Sequence, residues 1–399
     1  MLVFVVNCGS SSIKYQLFDM ADESERAGGM LERVGGDAVL HHSGPAGQVD
    51  RPVEADSHTA GIRLILEALV DPAIGVIGDV GEIAGVGHRV VHGAEHVSGS
   101  VRIDESVLAV IRRTAELAPL HNPPNLAGIE AALEAIGHCV QVAVFDTAFF
   151  ATLPPVAFRY AVPEAWYREH HVRRYGFHGT SHRYVTDRAA ELLGKAVEQV
   201  HLITAHLGNG CSMTAVAGGR AVDHSMGMTP LEGLMMGTRS GDLDPAVIPY
   251  MVSRGLSVEQ VDDVLNGSSG LLGISGLSND MRDLEEAAAG GDERARLARE
   301  MFIYRVAKYV GAYRAVLDEL DAVVLTGGIG ENAAGLRADL CRRLAHLGAA
   351  VDEGRNGRTV GGRAGPITAD DAQMPVWVIP TNEELMIARD TMRFVQEGV

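Results

Sequence analysis

The stretch Val5–Phe18, VVNCGSSSIKYQLF, places a small polar knot between two apolar runs at the start of the chain. The knot contains a glycine and three serines, and Lys14 follows it. Gly, Asn and Ser are typical turn residues, and the flanking runs have strand composition, so the stretch predicts a β-hairpin. A tight turn with backbone N–H groups, hydroxyls and one cation also suits phosphate oxygens. No GxxxxGK[ST] motif is present, so a plain turn and a phosphate-binding turn of another type both remain open.

The composition is that of an ordinary globular protein and excludes several kinds of partner. The chain has 399 residues, 46% hydrophobic and 22% charged, which is enough for two or three domains with a large core. The net charge of −18 gives no basic excess for binding nucleic acid or an anionic membrane, so we expect neither as a partner. The four cysteines form no CxxC pair, no apolar run is long enough to span a membrane, and no basic signal region precedes the first strand. We therefore expect a reducing, cytoplasmic location.

Strand-like and helix-like segments alternate along the chain, which predicts an α/β fold. The run from His201 to Val222, HLITAHLGNGCSMTAVAGGRAV, repeats the arrangement of the opening stretch: a strand, a Gly/Asn/Ser turn and a second strand. This repetition favours an internal duplication, with two hairpins that face each other across a cleft and hold phosphates of one nucleotide. A proline-rich corner at residues 153–155 is the best candidate for a domain boundary.

A third glycine-rich segment, DAVVLTGGIGEN at Asp321–Asn332, follows an apolar strand pattern. Residues 328–333 satisfy G-x-G-x-x-A, the dinucleotide-binding fingerprint. That fingerprint normally opens the first βα unit and has an acidic residue about 20 positions later, whereas this one lies in the last fifth of the chain and has only Asp352. We therefore favour a glycine turn that lets an adenosine approach the backbone closely, rather than a nicotinamide oxidoreductase.

Nine motifs occur in a fixed order along the chain: VVNCGSSSIKYQLF, GHRVVHG, FDTAF, RRYGFHGTSH, HLGNGCS, GTRSGD, SNDMR, GGIGEN and TNEELMIAR. In these motifs the chain resembles the acetate kinase family, from about residue 3 to residue 390. The resemblance implies a duplicated two-domain actin-like ATPase fold of the ribonuclease H-like type, with the nucleotide cleft between the domains. The domains would span residues 1–150 and 151–382, and a C-terminal helix at about 383–399 would pack back on the first. The implied reaction is reversible phosphoryl transfer between ATP and acetate, giving ADP and acetyl phosphate, with Mg²⁺ or Mn²⁺, in a homodimer.

The resemblance implies catalytic roles for Asp146, His178 and Arg239, and it makes Arg89 the partner of the acetate carboxylate, which suits the planar guanidinium. His178 and Arg239 would stabilise charge on the transferring phosphoryl group, while His182 is expected to be structural. The family role of Asp146 would be that of a proton acceptor. Carboxylic acids titrate near about 4.3, so acetate is already ionised at neutral pH and needs no base. We expect Asp146 to orient magnesium, its waters or Arg239 instead.

The resemblance also implies Asn7 and Glu383 as metal ligands. Thr381–Glu384 matches a T-x-x-E capping box, which would give Glu384 a structural role and leave Glu383 for the metal. His88 and His92 are four residues apart, but no HExxH is present and the segment has strand character, so we expect no zinc site there. Nucleotide binding is implied for residues of both hairpins and of the SNDMR and GGIGEN motifs: Ser10, Ser12, Lys14, His206, Leu207, Gly208, Asn209, Gly210, Asp280, Met281, Arg282, Gly328, Ile329, Gly330, Glu331 and Asn332.

Four apolar residues match the family's wall around the acetate methyl group, although each also fits a plain core position: Val91, Leu120, Phe177 and Pro230. A small pocket discriminates by only about 1–3 kcal/mol per methylene, so propionate should be accepted less well than acetate. A propionate or other short-chain carboxylate kinase is therefore an alternative. A noncatalytic ATP-binding switch on the same fold is a more distant one, against which Arg89 argues. The chain departs from the family pattern at Ala94, commonly glycine, and at Phe150, commonly histidine.

Overall fold

The computed structural model describes residues 1–119 and 121–398, and the chain separates into two compact units. Unit 1 comprises Met1–Ala151 and Asn382–Val399, and unit 2 comprises Thr152–Thr381. Each unit contains one β-sheet with helices packed against it, so the predicted α/β class is confirmed. None of the helices in the described part of the chain is long and apolar enough to cross a membrane.

Unit 1 is built on an eight-stranded sheet in the order β5-β4-β3-β2-β1-β6-β8-β7. Strands β1 to β5 pair antiparallel in succession, whereas β1–β6 and β6–β8 are parallel pairs. The strands are β1 (Leu2–Cys8), β2 (Ser12–Asp19), β3 (Ser24–Glu32), β4 (Asp37–Gly44), β5 (Gly47–Glu54), β6 (Ile83–Val90), β7 (Val101–Arg102) and β8 (Val140–Phe145), and the helices are α1 (His58–Val70), α2 (Glu105–Arg113), α3 (Asn122–Ile136) and the C-terminal α15 (Glu383–Glu397). Short 3₁₀ helices cover Val80–Glu82, Thr114–Glu116 and Ala148–Thr152.

The C-terminal helix α15 packs closely on β1, β6 and β8. Its approach depends on two glycines of β6, because a methyl group at Gly85 would lie 2.8 Å from Val395 and one at Gly87 would overlap Thr391 and Ile387. Because of this packing, Glu383, the first residue of α15, belongs to the same unit as Arg89 and Asp146.

The opening stretch forms the predicted β-hairpin, which is confirmed. Strands β1 and β2 pair antiparallel, with Asn7 opposite Lys14. The N–H of Gly9 donates to the carbonyl of Ser12 at 2.8 Å and closes the turn.

Unit 2 is built on a six-stranded sheet in the order β11-β10-β9-β12-β14-β13. An antiparallel hairpin, β9–β10, is again followed by parallel pairs, β9–β12 and β12–β14, which repeats the arrangement of β1, β2, β6 and β8 and supports the predicted duplication. The strands are β9 (His201–Leu207), β10 (Cys211–Ala217), β11 (Arg220–His224), β12 (Ala322–Thr326), β13 (Gly365–Pro366) and β14 (Val376–Val378). The helices are α4 (Pro155–Phe158), α5 (Glu164–His170), α6 (Gly179–Leu193), α7 (Val247–Ser253), α8 (Val258–Gly267), α9 (Gly270–Ser275), α10 (Met281–Ala289), α11 (Glu293–Val316), α12 (Gly327–Asn332), α13 (Ala334–Arg343) and α14 (Glu353–Arg358), with 3₁₀ turns at Val197–Gln199 and Ala345–Leu347.

The glycine-rich segment after β12 is a short helix, α12, and not the bare turn that we expected. The carboxylate of Glu331 reaches back to the N–H of Gly327 at 2.9 Å and lies 3.3 Å from the hydroxyl of Thr326. These contacts satisfy the first donors of the helix and allow it to start directly at the strand end. Gly327 has a φ of 76°, which glycine adopts without steric cost.

Candidate active site

In unit 1, Arg89 and Asp146 lie side by side at the carboxyl end of the sheet. Arg89 is the penultimate residue of β6 and Asp146 directly follows β8; these strands are parallel neighbours, so their carboxyl ends meet at one edge. Nη2 of Arg89 lies 2.7 Å from Oδ2 of Asp146, and Nε lies 3.1 Å from the same oxygen. Asp146 is 1% exposed. We expected magnesium, its waters or Arg239 as the partner of Asp146, and the structure places its carboxylate against Arg89.

Glu383 adds a second carboxylate beside Arg89, with 3.8 Å between Oε2 and Nε. Burial raises the pKa of Glu383 to about 7, and the charges of Asp146 and Glu384 add to this effect, while Arg89 and Lys14 oppose it. For Arg89, burial lowers the pKa, but the carboxylates of Asp146 and Glu383 outweigh burial and raise it above its ordinary value. The cluster thus contains three carboxylates and two cations, and its ionised form has surplus negative charge.

Helix α15 begins one residue later than a capping box at Thr381 requires, so that prediction is wrong. Asn382 is the N-cap, and its side chain accepts from the N–H of the third helical residue at 2.9 Å. The hydroxyl of Thr381 instead hydrogen-bonds with that of Ser181 at 2.8 Å. The carboxylate of Glu384 forms an ion pair with Lys14, and half of the lysine side chain stays exposed. The pattern placed the cap wrongly because asparagine at the next position caps equally well.

Two buried asparagines, which the sequence reading missed, fix the chain just after β6. Asn125 accepts from the N–H of Val91 at 3.1 Å and donates to the carbonyl of Cys8 at 2.7 Å. Asn122 accepts from the N–H of His92 at 3.1 Å and donates to the carbonyl of the same residue at 2.9 Å. Both come from the NPPN segment at the start of α3. The unusual Asn-Pro-Pro-Asn pattern was the available signal, but their partners are distant in sequence.

The remaining predicted residues of unit 1 lie on the opening hairpin, with the exceptions of Val91 and Leu120. Asn7 is partly buried near the end of β1, Ser10 is exposed in the turn and Ser12 begins β2. Val91 is partly buried directly after β6. Leu120 lies outside the described residues.

The histidines of the GHRVVHG segment have separate partners. Nε2 of His88 hydrogen-bonds with Oε1 of Gln141 at 2.8 Å, and Nδ1 of His92 accepts from the N–H of Ala94 at 2.9 Å. Burial lowers the pKa of both histidines to about 4, so both are neutral at physiological pH. Ala94 has a φ of 50°, a left-handed conformation that is strained for alanine and free of strain for glycine. Phe150, the second departure, is a buried core residue.

In unit 2, His178 and Arg239 lie next to the turn of the second hairpin. A methyl group at Gly210 would lie 3.3 Å from Cε1 and Nε2 of His178 and 3.5 Å from Nη1 of Arg239. Nη1 of Arg239 donates to the carbonyl of Pro230 at 3.4 Å and lies 3.7 Å from the sulfur of Met236. Burial lowers the pKa of Arg239, yet a guanidinium stays charged in proteins. No carboxylate of residues 1–119 or 121–398 pairs with Arg239, so its charge is available to an anion.

Ser212 and Thr204 hold the histidines of this half of the site. The hydroxyl of Ser212 lies 3.0 Å from Nδ1 of His178 and 2.8 Å from Nε2 of His182. Nδ1 of His182 lies 2.7 Å from the hydroxyl of Thr204, and burial lowers the pKa of His182 well below its ordinary value. The ring centroids of His178 and His206 are 4.5 Å apart. A buried, neutral His182 therefore orients the serine that contacts His178, a role that the sequence reading did not assign to Ser212.

A cavity of about 510 Å³ in unit 2 collects residues from three separate motifs. Its volume falls in the range of roughly 300–1,000 Å³ that small-molecule sites have. The side chain of Asn279 donates to that of Asn209 at 2.9 Å and ties the hairpin to the start of α10. The sequence reading missed Asn279, Glu285 and Ala333. The lining residues are Gly208, Asn209, Asn279, Asp280, Met281, Arg282, Glu285, Gly328, Ile329, Asn332 and Ala333.

Several residues with predicted nucleotide or substrate roles lie outside the lining of this cavity. The carboxylate of Glu331 caps α12, and Nδ1 of His206 hydrogen-bonds with Ser181 at 2.8 Å. Phe177 is buried and its N–H donates to Nε2 of His224 at 3.1 Å, while Pro230 is partly buried. The other residues of the second hairpin and of α12 that the cavity lining does not include are Leu207, Gly210 and Gly330.

Comparison with known proteins identifies the family. The model of the acetokinase family matches residues 2–389. The chain belongs to the acetokinase family. An acetate kinase of Symbiobacterium thermophilum is 54% identical over 398 residues, which cover 99% of this chain and 100% of that protein. The predicted family is confirmed, and so is the predicted enzyme class, a kinase.

Solved structures of this family have the same fold. The crystal structure of Porphyromonas gingivalis acetate kinase is 45% identical with a TM-score of 0.95, and the match covers 99% of each chain. A propionate kinase from Francisella tularensis subsp. tularensis is 41% identical with a TM-score of 0.92, covering 98% of this chain and 99% of that one. This acetokinase-family chain is therefore similar to kinases named for two different acids.

Proposed function

We propose that this chain catalyses reversible phosphoryl transfer between ATP and acetate, giving ADP and acetyl phosphate. Family membership supports a carboxylate kinase. The observation that carries the proposal is that one hairpin serves two sites: Gly208 and Asn209 line the nucleotide-sized cavity, and Gly210 lies against His178 and Arg239. A nucleotide in the cavity would extend its phosphates along this turn toward a histidine and an arginine.

The reaction needs positioning and charge more than covalent help. Acetate is ionised at neutral pH, so its oxygen can form the new O–P bond while the bond from phosphorus to the ADP oxygen breaks, and no proton is transferred. His178 and Arg239 would bind the oxygens of the transferring group. In other phosphoryl-transfer enzymes an arginine in this role contributes roughly 10³–10⁵ in rate.

Unit 1 supplies the groups for the carboxylate. Asp146 binds Nε and Nη2 of Arg89, and within the described residues Nη1 donates no hydrogen bond. We infer that Arg89 binds acetate and that Asp146 holds the guanidinium in place. An aspartate already engaged with an arginine is a positioning group, which agrees with a reaction that needs no proton acceptor.

Magnesium fits the residues of unit 1. Asn7 and Glu383 provide oxygen ligands of the kind that Mg²⁺ prefers, and a cation would offset the burial and the neighbouring carboxylate charges that raise the pKa of Glu383. The described residues contain no cluster of three or more His, Cys, Asp or Glu that could hold a metal alone, and Mg²⁺ commonly uses one or two carboxylates together with substrate phosphates. When bound, it would neutralise phosphate charge, and Mn²⁺ could substitute because it accepts the same ligands. The homodimer and the cytoplasmic location stay predictions.

The test is an assay with ATP, Mg²⁺ and acetate in which hydroxylamine traps acyl phosphate as the hydroxamate. We expect acetyl hydroxamate with the unchanged protein and its near-complete loss in Arg89→Ala and Arg239→Ala. Arg254→Ala is the matched control, because among the described residues the guanidinium of Arg254 makes its hydrogen bond to the exposed Tyr250 of its own helical segment. Absence of acyl phosphate in a protein that still binds ATP would reject the kinase proposal and favour a nucleotide-dependent switch.

Propionate is the second candidate substrate, and the 41% identity with a named propionate kinase favours including it. One methylene in a small apolar pocket changes discrimination by roughly 10–200-fold. We expect kcat/KM for acetate to exceed that for propionate by about tenfold or more. Equal or reversed values in the same hydroxamate assay would assign the chain to propionate.

A further inference from the structure

We propose that Tyr160, Arg174 and Glu232 form a positioning clamp that fixes the loop bearing Pro230 and Arg239 and so sets catalytic efficiency toward the carboxylate. This inference rests on the proposed phosphoryl transfer. None of the three side chains lines the nucleotide cavity. We call these residues the Glu232 clamp.

The carboxylate of Glu232 is the centre of the clamp. Oε1 accepts from Nη2 of Arg174 at 2.6 Å, and Oε2 accepts from the hydroxyl of Tyr160. The same tyrosine oxygen accepts from the N–H of Met228 at 3.0 Å. Burial, and then the Glu232 charge, raise the pKa of Tyr160, so the phenol keeps its proton and donates. A methyl group at Gly227 would overlap both Glu232 and Tyr160, so the loop must carry glycine there for the clamp to close.

Arg174 ties the same loop at its start. Its Nη1 donates to the carbonyls of His224 at 2.7 Å, Ser225 at 3.1 Å and Met226 at 2.9 Å. Arg174 lies four residues before His178, so one guanidinium connects the loop to the segment that leads into the predicted catalytic histidine. Charged hydrogen bonds of this kind are roughly twice as strong as neutral ones.

The loop depends on such ties because residues 225–246 contain no helix or strand. A loop of this length without secondary structure is usually functional. Asp242 ties the later part of the loop to the residue after Glu232, because its carboxylate accepts from the N–H of Gly233 at 2.8 Å and pairs with Arg305 at 2.9 Å. The Glu232 clamp holds the near end, and the carbonyl of Pro230 in that part accepts from Arg239 at 3.4 Å. Releasing the clamp therefore moves an atom that contacts the predicted catalytic arginine.

We expect Glu232→Ala to reduce kcat/KM for acetate by roughly 10–100-fold, because a misplacement of about 1 Å costs up to about 100-fold. Tyr160→Phe removes one donor and should give a smaller loss, about 3–10-fold. Glu232→Gln keeps one acceptor oxygen for Arg174 and an amide that can donate to the hydroxyl oxygen of Tyr160, so it should recover part of the activity lost in Glu232→Ala. KM for ATP should stay within about twofold in all three, because the clamp leaves the cavity lining untouched. The ratio of acetate to propionate turnover should fall, because Pro230 moves with the loop.

The matched control is Glu164→Gln. Glu164 also binds two side chains, Arg159 and Arg168, but it lies on the exposed surface of α5 and should leave all kinetic values unchanged. Hydrogen exchange of residues 225–246 gives a second measurement that requires no activity, and it should accelerate in Glu232→Ala and Tyr160→Phe.

The outcomes separate the two proposals. If the unchanged protein makes no acyl phosphate, the proposed function fails, and hydrogen exchange alone decides the clamp. If it is active but Glu232→Gln and Tyr160→Phe keep wild-type kcat/KM, acid discrimination and exchange, the clamp is refuted. A parallel rise in KM for ATP would also refute it, because that result indicates general loss of structure. Should Glu232→Ala not fold, the two milder variants still decide.

Discussion

Asp146→Asn tests whether this carboxylate holds Arg89 or accepts a proton. Asparagine keeps the shape of the side chain but removes the charge that Nε and Nη2 of Arg89 contact at 3.1 and 2.7 Å. Breaking a buried ion pair by removing one partner typically costs about 3–5 kcal/mol. Arg89 is 21% exposed and retains Glu383 at 3.8 Å, so we expect the low end, about 3 kcal/mol.

The chain allows this loss to be assigned to unit 1. Both tryptophans, Trp166 and Trp377, belong to unit 2. The fluorescence transition of tryptophan should therefore stay within about 1 °C, while hydrogen exchange in β6 and β8 accelerates by a factor near 100, the equivalent of about 3 kcal/mol. A second substitution, Arg89→Met, should lower the stability less in the Asp146→Asn background than in the wild-type protein. In that background it removes a guanidinium charge that has already lost its partner.

In the kinetic assay, Asp146→Asn should raise KM for acetate and lower kcat/KM, since the carboxylate-binding arginine loses its support. Raising the pH should not restore activity, because acetate carries no proton to remove near neutrality. A positioning role for Asp146 is refuted if exchange in β6 and β8 is unchanged while activity is lost and then returns as the pH rises, since that pattern belongs to a missing proton acceptor.

Burial, reinforced by neighbouring carboxylates, raises the pKa of Glu383 from 4.5 to about 7. The folded protein therefore keeps a proton that the unfolded chain releases, and the free energy of unfolding without Mg²⁺ should fall by about 3 kcal/mol as the pH rises from 4.5 through 7. Thermal unfolding of Glu383→Gln, measured over the same pH range, should lack this fall. Asn382→Ala should destabilise α15 by about 1 kcal/mol, whereas Glu384→Gln should change stability by less than about 1 kcal/mol. Both free energies can be measured by urea unfolding with hydrogen exchange as the probe. Gly210→Ala should lower kcat about tenfold with ATP binding retained, because the methyl group lies 3.3 Å from the His178 ring, whereas Gly311→Ala, in open space on α11, should be neutral or stabilising.

The sequence was informative wherever the determinants are local. The opening hairpin follows from turn residues between two strand-forming runs, and its repetition at residues 201–217 indicates the second sheet. The order of motifs identified the family, and the HLGNG, SNDMR and GGIGEN segments each supply lining residues of the cavity in unit 2. These features depend on backbone conformations that neighbouring residues set.

The sequence was least informative about the partners of the predicted residues. The cap of α15 was misplaced by one residue because Thr381 and Asn382 are both good N-caps, and the contacts of Asn382 with the third helical residue and of Thr381 with Ser181 decide between them. The support that Asn122 and Asn125 give to the segment after β6 comes from a different helix. Contacts of this kind depend on the packed fold, so no spacing rule reveals them.

Arg89, His178 and Arg239 would meet the reactants, whereas Asp146 and Ser212 contact Arg89 and His178, and the Glu232 clamp is proposed to hold the loop of Arg239. Phosphoryl transfer to an already ionised carboxylate depends on alignment and charge stabilisation, with no covalent intermediate required. A holding residue that sets the position of a charged group should therefore affect the rate nearly as strongly as the group itself. On this argument, the most damaging substitutions among residues with no predicted contact to the reactants should fall at Ser212 and Glu232, before any residue of the exposed surface.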